Sequence, residues 1–142
     1  MNISAKTEYA CIAVLELAQN YGTGEPVRIK RIADIHGIPS RFLVQILLQL
    51  KGAGLVNSTR GASGGYQLVQ EPKSITLMDV MSVIEGPPSE MTGSTNMNTP
   101  HARVLWKTWR QASEVQRATL AKITFADLVE RIKSQPESMY YI

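Results

Sequence analysis

Apolar residues that recur at helical spacing predict three helices at the start of the chain. Ser4 is positioned to cap a first helix that runs to about Asn20. A brief second helix ends at Gly37, because glycine readily adopts the left-handed conformation that closes many helices. A third begins near Pro39, and its apolar face consists of Leu43, Ile46, Leu47 and Leu50. Its opposite face consists of Arg41, Val44, Gln45 and Leu48. Two short helices joined by a tight glycine turn are typical of a helix-turn-helix.

Two strand-like runs follow, and a glycine-rich loop joins them. The runs are residues 55–59 and 66–69, and the loop between them reads RGASGG from Arg60. This pattern predicts a β-hairpin, which directly after a helix-turn-helix is a wing. Glycines let the backbone approach a partner closely, and an arginine suits a narrow, electronegative minor groove. The loop lacks the helix and the Lys-Ser/Thr ending of a nucleotide-binding P-loop.

The C-terminal half predicts three more helices. Thr76 and Asp79 have the spacing of a capping box, and Thr124 and Asp127 repeat it. Between them a long helix starts at Pro100 and runs to about residue 122, with charged residues at spacings of four and three on one side. The other side consists of Ala102, Leu105, Trp106, Trp109, Ala112 and Val115. Residues 87–100 are rich in Ser, Thr, Asn, Pro and Met, which predicts a flexible loop.

These elements together predict a mainly α fold with a small β-hairpin. We expect a winged helix-turn-helix DNA-binding domain over residues 1–86, the flexible loop over 87–100 and dimerisation helices over 101–135. The 142 residues, 44% of them hydrophobic, suit a single globular unit. The longest apolar run, residues 9–15, is too short to span a bilayer and no cleavage site follows it, so we expect a cytoplasmic protein with no membrane partner.

The modest net charge of +3 is unevenly distributed. Residues 28–60 contain six Lys and Arg residues but Asp34 as their one acidic residue. Such a stretch is typical of a phosphate-facing surface, although a solvated face without a ligand has the same composition. No nucleophile–base pair, carboxylate pair or metal-ligand spacing is present, which argues against an enzyme.

Several short motifs occur in a recognisable order. They are SAKTEYA (4–10), RIA (31–33), FLVQIL (42–47), AGLV (53–56), RG (60–61), GGY (64–66), ITL (75–77) and IEG (84–86). LW (105–106) and TFADL (124–128) extend the series into the C-terminal helices. Through these motifs the chain resembles the Rrf2 family of bacterial winged-helix transcriptional regulators.

This resemblance implies a homodimer on double-stranded DNA. The long C-terminal helix would form the interface, through Leu105, Trp106, Trp109, Ala112 and Val115. The recognition helices would occupy successive major grooves and the wings the flanking minor grooves. The DNA-binding residues would be Arg28, Lys30, Arg31, Ser40, Arg41, Val44, Gln45, Arg60, Gly61, Ser63, Gly64, Gly65 and Tyr66. Many family members have Glu at the position of Val44, so no base preference carries over; an apolar side chain there contacts a thymine methyl or fails to exclude other bases.

The family resemblance also raises the question of an iron–sulfur cluster. Cluster-binding relatives carry three cysteines in the loop and at the start of the long helix, whereas this chain has none between residues 86 and 110. We therefore expect no cluster, no other cofactor and no metal site. Cys11, the single cysteine, is expected to be a small buried hydrophobe, with a redox-sensing thiol as the alternative. His36, beside Gly37, is expected at the surface or facing a phosphate.

The predicted function is sequence-specific regulation of transcription, as a repressor or an activator, at a palindromic operator. The alternative is an adaptor that uses the winged helix to hold a protein partner, which would also control it. The signal could be a small molecule in the dimer cleft, a regulatory protein acting on the 87–100 loop, or absent.

Overall fold

The structure is a computed structural model that describes residues 3–86 and 93–136. In chain order the elements are α1 (Ala5–Gln19), α2 (Ile29–His36), α3 (Ser40–Gly52), β1 (Val56–Thr59), β2 (Gly65–Leu68), α4 (Leu77–Glu85), α5 (Pro100–Leu120) and α6 (Phe125–Lys133). The predicted mainly α fold with one hairpin is confirmed. Residues 87–92 of the predicted flexible loop lie outside the described residues.

The first helix, α1, packs against α3, α4 and α6. The Ser4 hydroxyl caps it by accepting a hydrogen bond from the backbone N–H of Thr7 at 3.1 Å, as the sequence predicts. Thr7 is itself buried, and its Oγ1 donates to Oε1 of Glu85 at 2.9 Å. This hydrogen bond joins the start of α1 to the end of α4. The apolar face of α1 consists of Ala10, Ala13, Val14 and Leu17.

The helix-turn-helix forms where the glycine turn predicts it. Gly37 follows α2 in the left-handed conformation with φ 65°, and its neighbour Ile38 is buried. The next helix, α3, turns one face entirely into the core, with Leu43, Ile46, Leu47 and Leu50 fully buried. Burial of this face leaves the opposite face of α3 in solvent.

The two strands of the wing pair antiparallel, with Val56 opposite Leu68 and Thr59 opposite Gly65. A third segment contributes one bridge, because the N–H of Val27 donates to the carbonyl of Tyr66 at 2.9 Å and the N–H of Tyr66 donates back at 2.8 Å. A Cβ on Gly65 would lie 2.5 Å from the carbonyl oxygen of Val27, so only glycine permits this approach. The wing is thus pinned to the residues that precede α2.

The beginnings of α4 and α6 lie side by side. Thr76 and Thr124 form an antiparallel bridge, and each caps its helix through the predicted capping box. The N–H of Phe125 donates to the carbonyl of Ile75 at 2.9 Å. The Phe125 ring is fully buried in the core that α1, α3 and α4 form. The last helix therefore shares the core of the first 86 residues.

The longest helix, α5, contacts that core over a small part of its surface. Thr99 caps its start, and Ala102 is its buried residue. Residue 93 leads into it and lies against Trp106, since a Cβ on Gly93 would be 2.6 Å from the indole Nε1. No helix in the described part of the chain is both long enough and apolar enough to cross a membrane.

Candidate nucleic-acid interface

The exposed face of α3 carries four of the predicted DNA-binding residues. Ser40, Arg41, Val44 and Gln45 are all exposed, and Val44 is 42% accessible. The Arg41 guanidinium lies over the Phe42 ring, 5.0 Å from its centroid, which is a cation–π contact. This face therefore offers charge, an amide and an apolar group to a partner.

Three more predicted residues lie at the start of α2. Arg28 occupies the N-cap position, and Lys30 and Arg31 point to solvent. Lys30 pairs with Asp34 at 3.0 Å, but both side chains are more than half exposed, so this ion pair contributes little to stability. All three cations remain accessible to a large anionic partner.

The predicted wing residues divide into two groups. Arg60, Gly61 and Ser63 are exposed at the tip, whereas Gly64 is buried. A Cβ on Gly64 would lie 2.2 Å from the carbonyl oxygen of Thr59, so this glycine is needed to close the loop. Gly65 has the corresponding role against Val27, and Tyr66 carries the bridge to it. The DNA contacts of these wing residues stay a prediction.

A cleft of about 460 Å³ separates the wing from the helix-turn-helix. Its lining residues are Arg28, Ile29, Lys51, Ser58, Thr59, Arg60, Gly61, Gly64, Gly65 and Tyr66. The cleft thus unites the start of α2 with the wing, while the predicted residues of α3 lie outside it. Lys51 belongs to the basic stretch but not to the predicted contact set. Its Nζ donates to the Ser58 hydroxyl at 2.7 Å, a contact between the end of α3 and β1 that no local pattern reveals.

A polar pair that the sequence does not predict orients α2. The Glu16 side chain is buried, and its Oε1 lies 2.9 Å from Nε2 of His36. His36 lies at the surface, the first of the two positions expected for it, and its imidazole is hydrogen-bonded to α1.

One side of α5 is apolar and exposed. Leu105 is 45%, Trp109 47% and Val115 69% accessible, and Ala112 is exposed between them. Val104, at 67%, extends this face beyond the predicted set. Trp106 is half-buried and meets Trp109 edge to face, with centroids 4.9 Å apart. Among the predicted interface residues, Trp106 thus lies closest to the core side of the helix.

The residues present do not fit an iron–sulfur cluster. Such clusters require several thiolate ligands, whereas the single cysteine of this chain, Cys11, lies on α1 and packs against the core. Burial raises the pKa of the Cys11 thiol to about 11, and the Glu85 carboxylate adds to the rise. Within residues 3–86 and 93–136, no three His, Cys, Asp or Glu side chains are grouped to hold a metal ion.

Comparison with known proteins by sequence and by structure finds related transcriptional regulators in both cases. A sequence profile of the Rrf2 family, described as an iron-dependent transcriptional regulator, matches residues 3–131. The chain is 37% identical to the HTH-type transcriptional regulator CymR of Bacillus subtilis, over the full length of both. The structure of that CymR, described as the global cysteine regulator of B. subtilis, superposes with a TM-score of 0.74 over 92% of this chain and 98% of the other. The structure of IscR from T. potens superposes with a TM-score of 0.78 at 30% identity, covering 100% and 97% of the two chains.

Proposed function

This chain belongs to the Rrf2 family of transcriptional regulators, a family that is not enzymatic, and from that membership we propose that it is a homodimeric, sequence-specific repressor. The observation that carries the proposal is the exposed face of α3 next to a basic cleft and a glycine-shaped wing. A protein with these three parts can contact the bases and the backbone of one DNA segment together. We place its action in the cytoplasm, where bacterial promoters are accessible.

The contact residues divide between the two grooves. Ser40, Arg41, Val44 and Gln45 face the bases of the major groove, since α3 exposes them together. Arg60 enters the minor groove from the exposed tip of the wing. The remaining exposed residues contact the sugar-phosphate backbone and fix the register: Arg28, Lys30, Arg31, Gly61 and Ser63. Gly64, Gly65 and Tyr66 support these contacts by holding the wing in shape.

The apolar face of α5 is proposed to bind a second copy of the chain. Leu105, Trp106, Trp109, Ala112 and Val115 form the interface, and Val104 adds to it. Several large apolar side chains exposed along one helix mark an association surface. A two-fold axis through this interface would place the two recognition helices on half-sites about 34 Å apart, which corresponds to a palindromic operator.

We propose that the dimer works without an iron–sulfur cluster, because the chain has one cysteine and its thiol resists ionisation. Protein purified without oxygen is then colourless. A visible absorption band with stoichiometric iron and sulfide would contradict this part of the proposal. A small molecule or a regulatory protein is left as the source of any signal.

The central test is binding to promoter fragments, including the chain's own, followed by fluorescence anisotropy at several salt concentrations. We expect tight binding to a subset with palindromic sequence, and a steep loss of affinity with salt because Lys and Arg displace counterions from phosphates. A reporter fused to a bound promoter should be more active when the protein is deleted. Weak, sequence-blind binding would reject the regulator and favour the adaptor that holds a protein partner.

A further inference from the structure

The cleft between the wing and the helix-turn-helix is strongly basic. Arg28, Lys51 and Arg60 line it, and none of the described lining residues is acidic. Within residues 3–86 and 93–136, ion pairs form at Lys30, His36, Lys73 and Lys133, and the three cations of the cleft take part in none of them. Three uncompensated charges around one concave site attract an anion.

Uncharged hydrogen-bond donors complete the lining. Ser58 and Thr59 contribute hydroxyl groups, and Ile29 brings the first turn of α2 into the cleft. No side chain caps this helix, so its first backbone N–H groups are available to a ligand. Cations, hydroxyls and a free helix start are the groups with which proteins hold phosphate.

The cleft is held in shape from both sides. On one side the double hydrogen bond between Val27 and Tyr66 ties the wing to the start of α2. On the other side Lys51 donates to Ser58 at 2.7 Å, which ties the end of α3 to β1. An ammonium group has three donors, so Lys51 can make this bond and still present donors to a ligand.

The position of the cleft identifies its ligand. In duplex DNA, one sugar-phosphate strand separates the major groove from the adjacent minor groove. A protein that places α3 in the first and its wing in the second straddles that strand, and the cleft lies between α3 and the wing. We infer that the cleft is a site for a backbone phosphate of DNA and that Lys51 is a phosphate-binding residue. This inference rests on the proposed function.

The phosphate site has a positioning role. A backbone phosphate carries no base identity, so the contact strengthens binding to every duplex and fixes how α3 enters its groove. Lys51, at the end of α3, therefore affects affinity and salt dependence, whereas the choice between operators depends on the exposed residues at the start of α3 and on the wing tip.

The test compares Lys51→Gln with Lys73→Gln, which removes the same charge from a lysine outside the cleft that pairs with Glu71. Lys51→Gln should lower affinity about tenfold per protomer on specific and unspecific duplexes alike. It should also reduce the slope of log K against log salt by about 0.9 per protomer. Lys51→Arg should restore the slope, and Lys73→Gln should change neither quantity. Thermal unfolding of each variant shows whether the fold is intact.

Neutral methylphosphonate, placed at one backbone position at a time, locates the phosphate. At one position per half-site the substitution should lower the DNA affinity of the wild type and have no further effect on the affinity of Lys51→Gln. If the wild type binds operator DNA while Lys51→Gln keeps the full affinity and slope, the assignment of the cleft to a phosphate is wrong. The proposed function as a transcriptional regulator is then unaffected. If the wild type binds no duplex, the proposed function itself fails. Binding of inorganic phosphate that needs Lys51, with unchanged DNA affinity, would assign the cleft to a free anion and overturn the inference.

Discussion

Nε2 of His36 lies 2.9 Å from Oε1 of Glu16, so a buried carboxylate on the first helix holds the end of the second. His36→Ala leaves that carboxylate without its partner, and we expect a loss of about 1–3 kcal/mol in the free energy of unfolding, measured in urea. The displaced α2 should also weaken DNA binding.

The double variant Glu16→Leu/His36→Ala provides the control. It removes both polar partners, so no unpaired group is left in the core and part of the lost stability should return. If the double variant were no more stable than His36→Ala, the pair would not be what orients α2.

Gly65→Ala tests the attachment of the wing. The added Cβ would lie 2.5 Å from the Val27 carbonyl oxygen, which forces the two segments apart and should cost about 1–3 kcal/mol of stability. The loss in the free energy of DNA binding should exceed the loss in the free energy of unfolding, because the wing moves away from α2. In the matched variant Gly52→Ala the Cβ meets no atom within 4 Å, and this helical site should gain up to about 1 kcal/mol. Equal effects of the two variants would show that the wing tolerates displacement.

Leu105→Asp tests the dimer. A carboxylate on the apolar face of α5 would be buried without a partner in the interface, so the protein should sediment as a monomer and bind palindromic DNA weakly. Lys107→Asp places the same group on the charged side of the helix and should remain dimeric. Analytical ultracentrifugation measures both, and a Leu105→Asp protein that stays dimeric would move the interface elsewhere.

The Cys11 thiol gives stability a dependence on pH. In the folded protein the thiol keeps its proton up to about pH 11, because burial raises its pKa, whereas in the unfolded chain it loses the proton near pH 9. The unfolded state thus binds fewer protons in this window, and the free energy of unfolding should fall as the pH rises from about 9 to about 11. Cys11→Ala should flatten this decline.

Labelling of Cys11 with iodoacetamide measures the same property at a single pH. At pH 8 the native thiol should react far more slowly than in urea, since the thiolate is the nucleophile. Equal rates in the two states would mean that Cys11 is accessible and would revive the redox-sensing alternative.

Local features of the fold could be predicted from the sequence. The caps at Ser4, Thr76 and Thr124 and the left-handed turn at Gly37 each depend on residues within four positions of one another. Their chemistry is therefore visible in a short window, and the exposed face of α3 follows from apolar periodicity in the same way.

The contacts that assemble the site could not be predicted. Glu16 and His36 are 20 positions apart, and the contact of Val27 with Tyr66 spans a greater distance along the chain. Each is an isolated contact between two distant segments, and no periodic pattern in the sequence predicts it. Lys51 and Ser58 meet through the turn between α3 and β1, so the basic stretch predicted the charge of the cleft but not its shape.

The bridge between Thr76 and Thr124 has a consequence for the DNA that a dimer could recognise. The long helix α5 extends away from the winged-helix core after α4. Its C-terminal end returns to that core, because Phe125, which follows it, is buried there. In a dimer formed through α5, this anchoring sets the distance between the two winged-helix domains when each monomer folds, before any DNA is present. In such a dimer the spacing between the two recognition helices is fixed. The dimer would tolerate base changes within an operator more readily than the insertion of a base pair between the operator's halves.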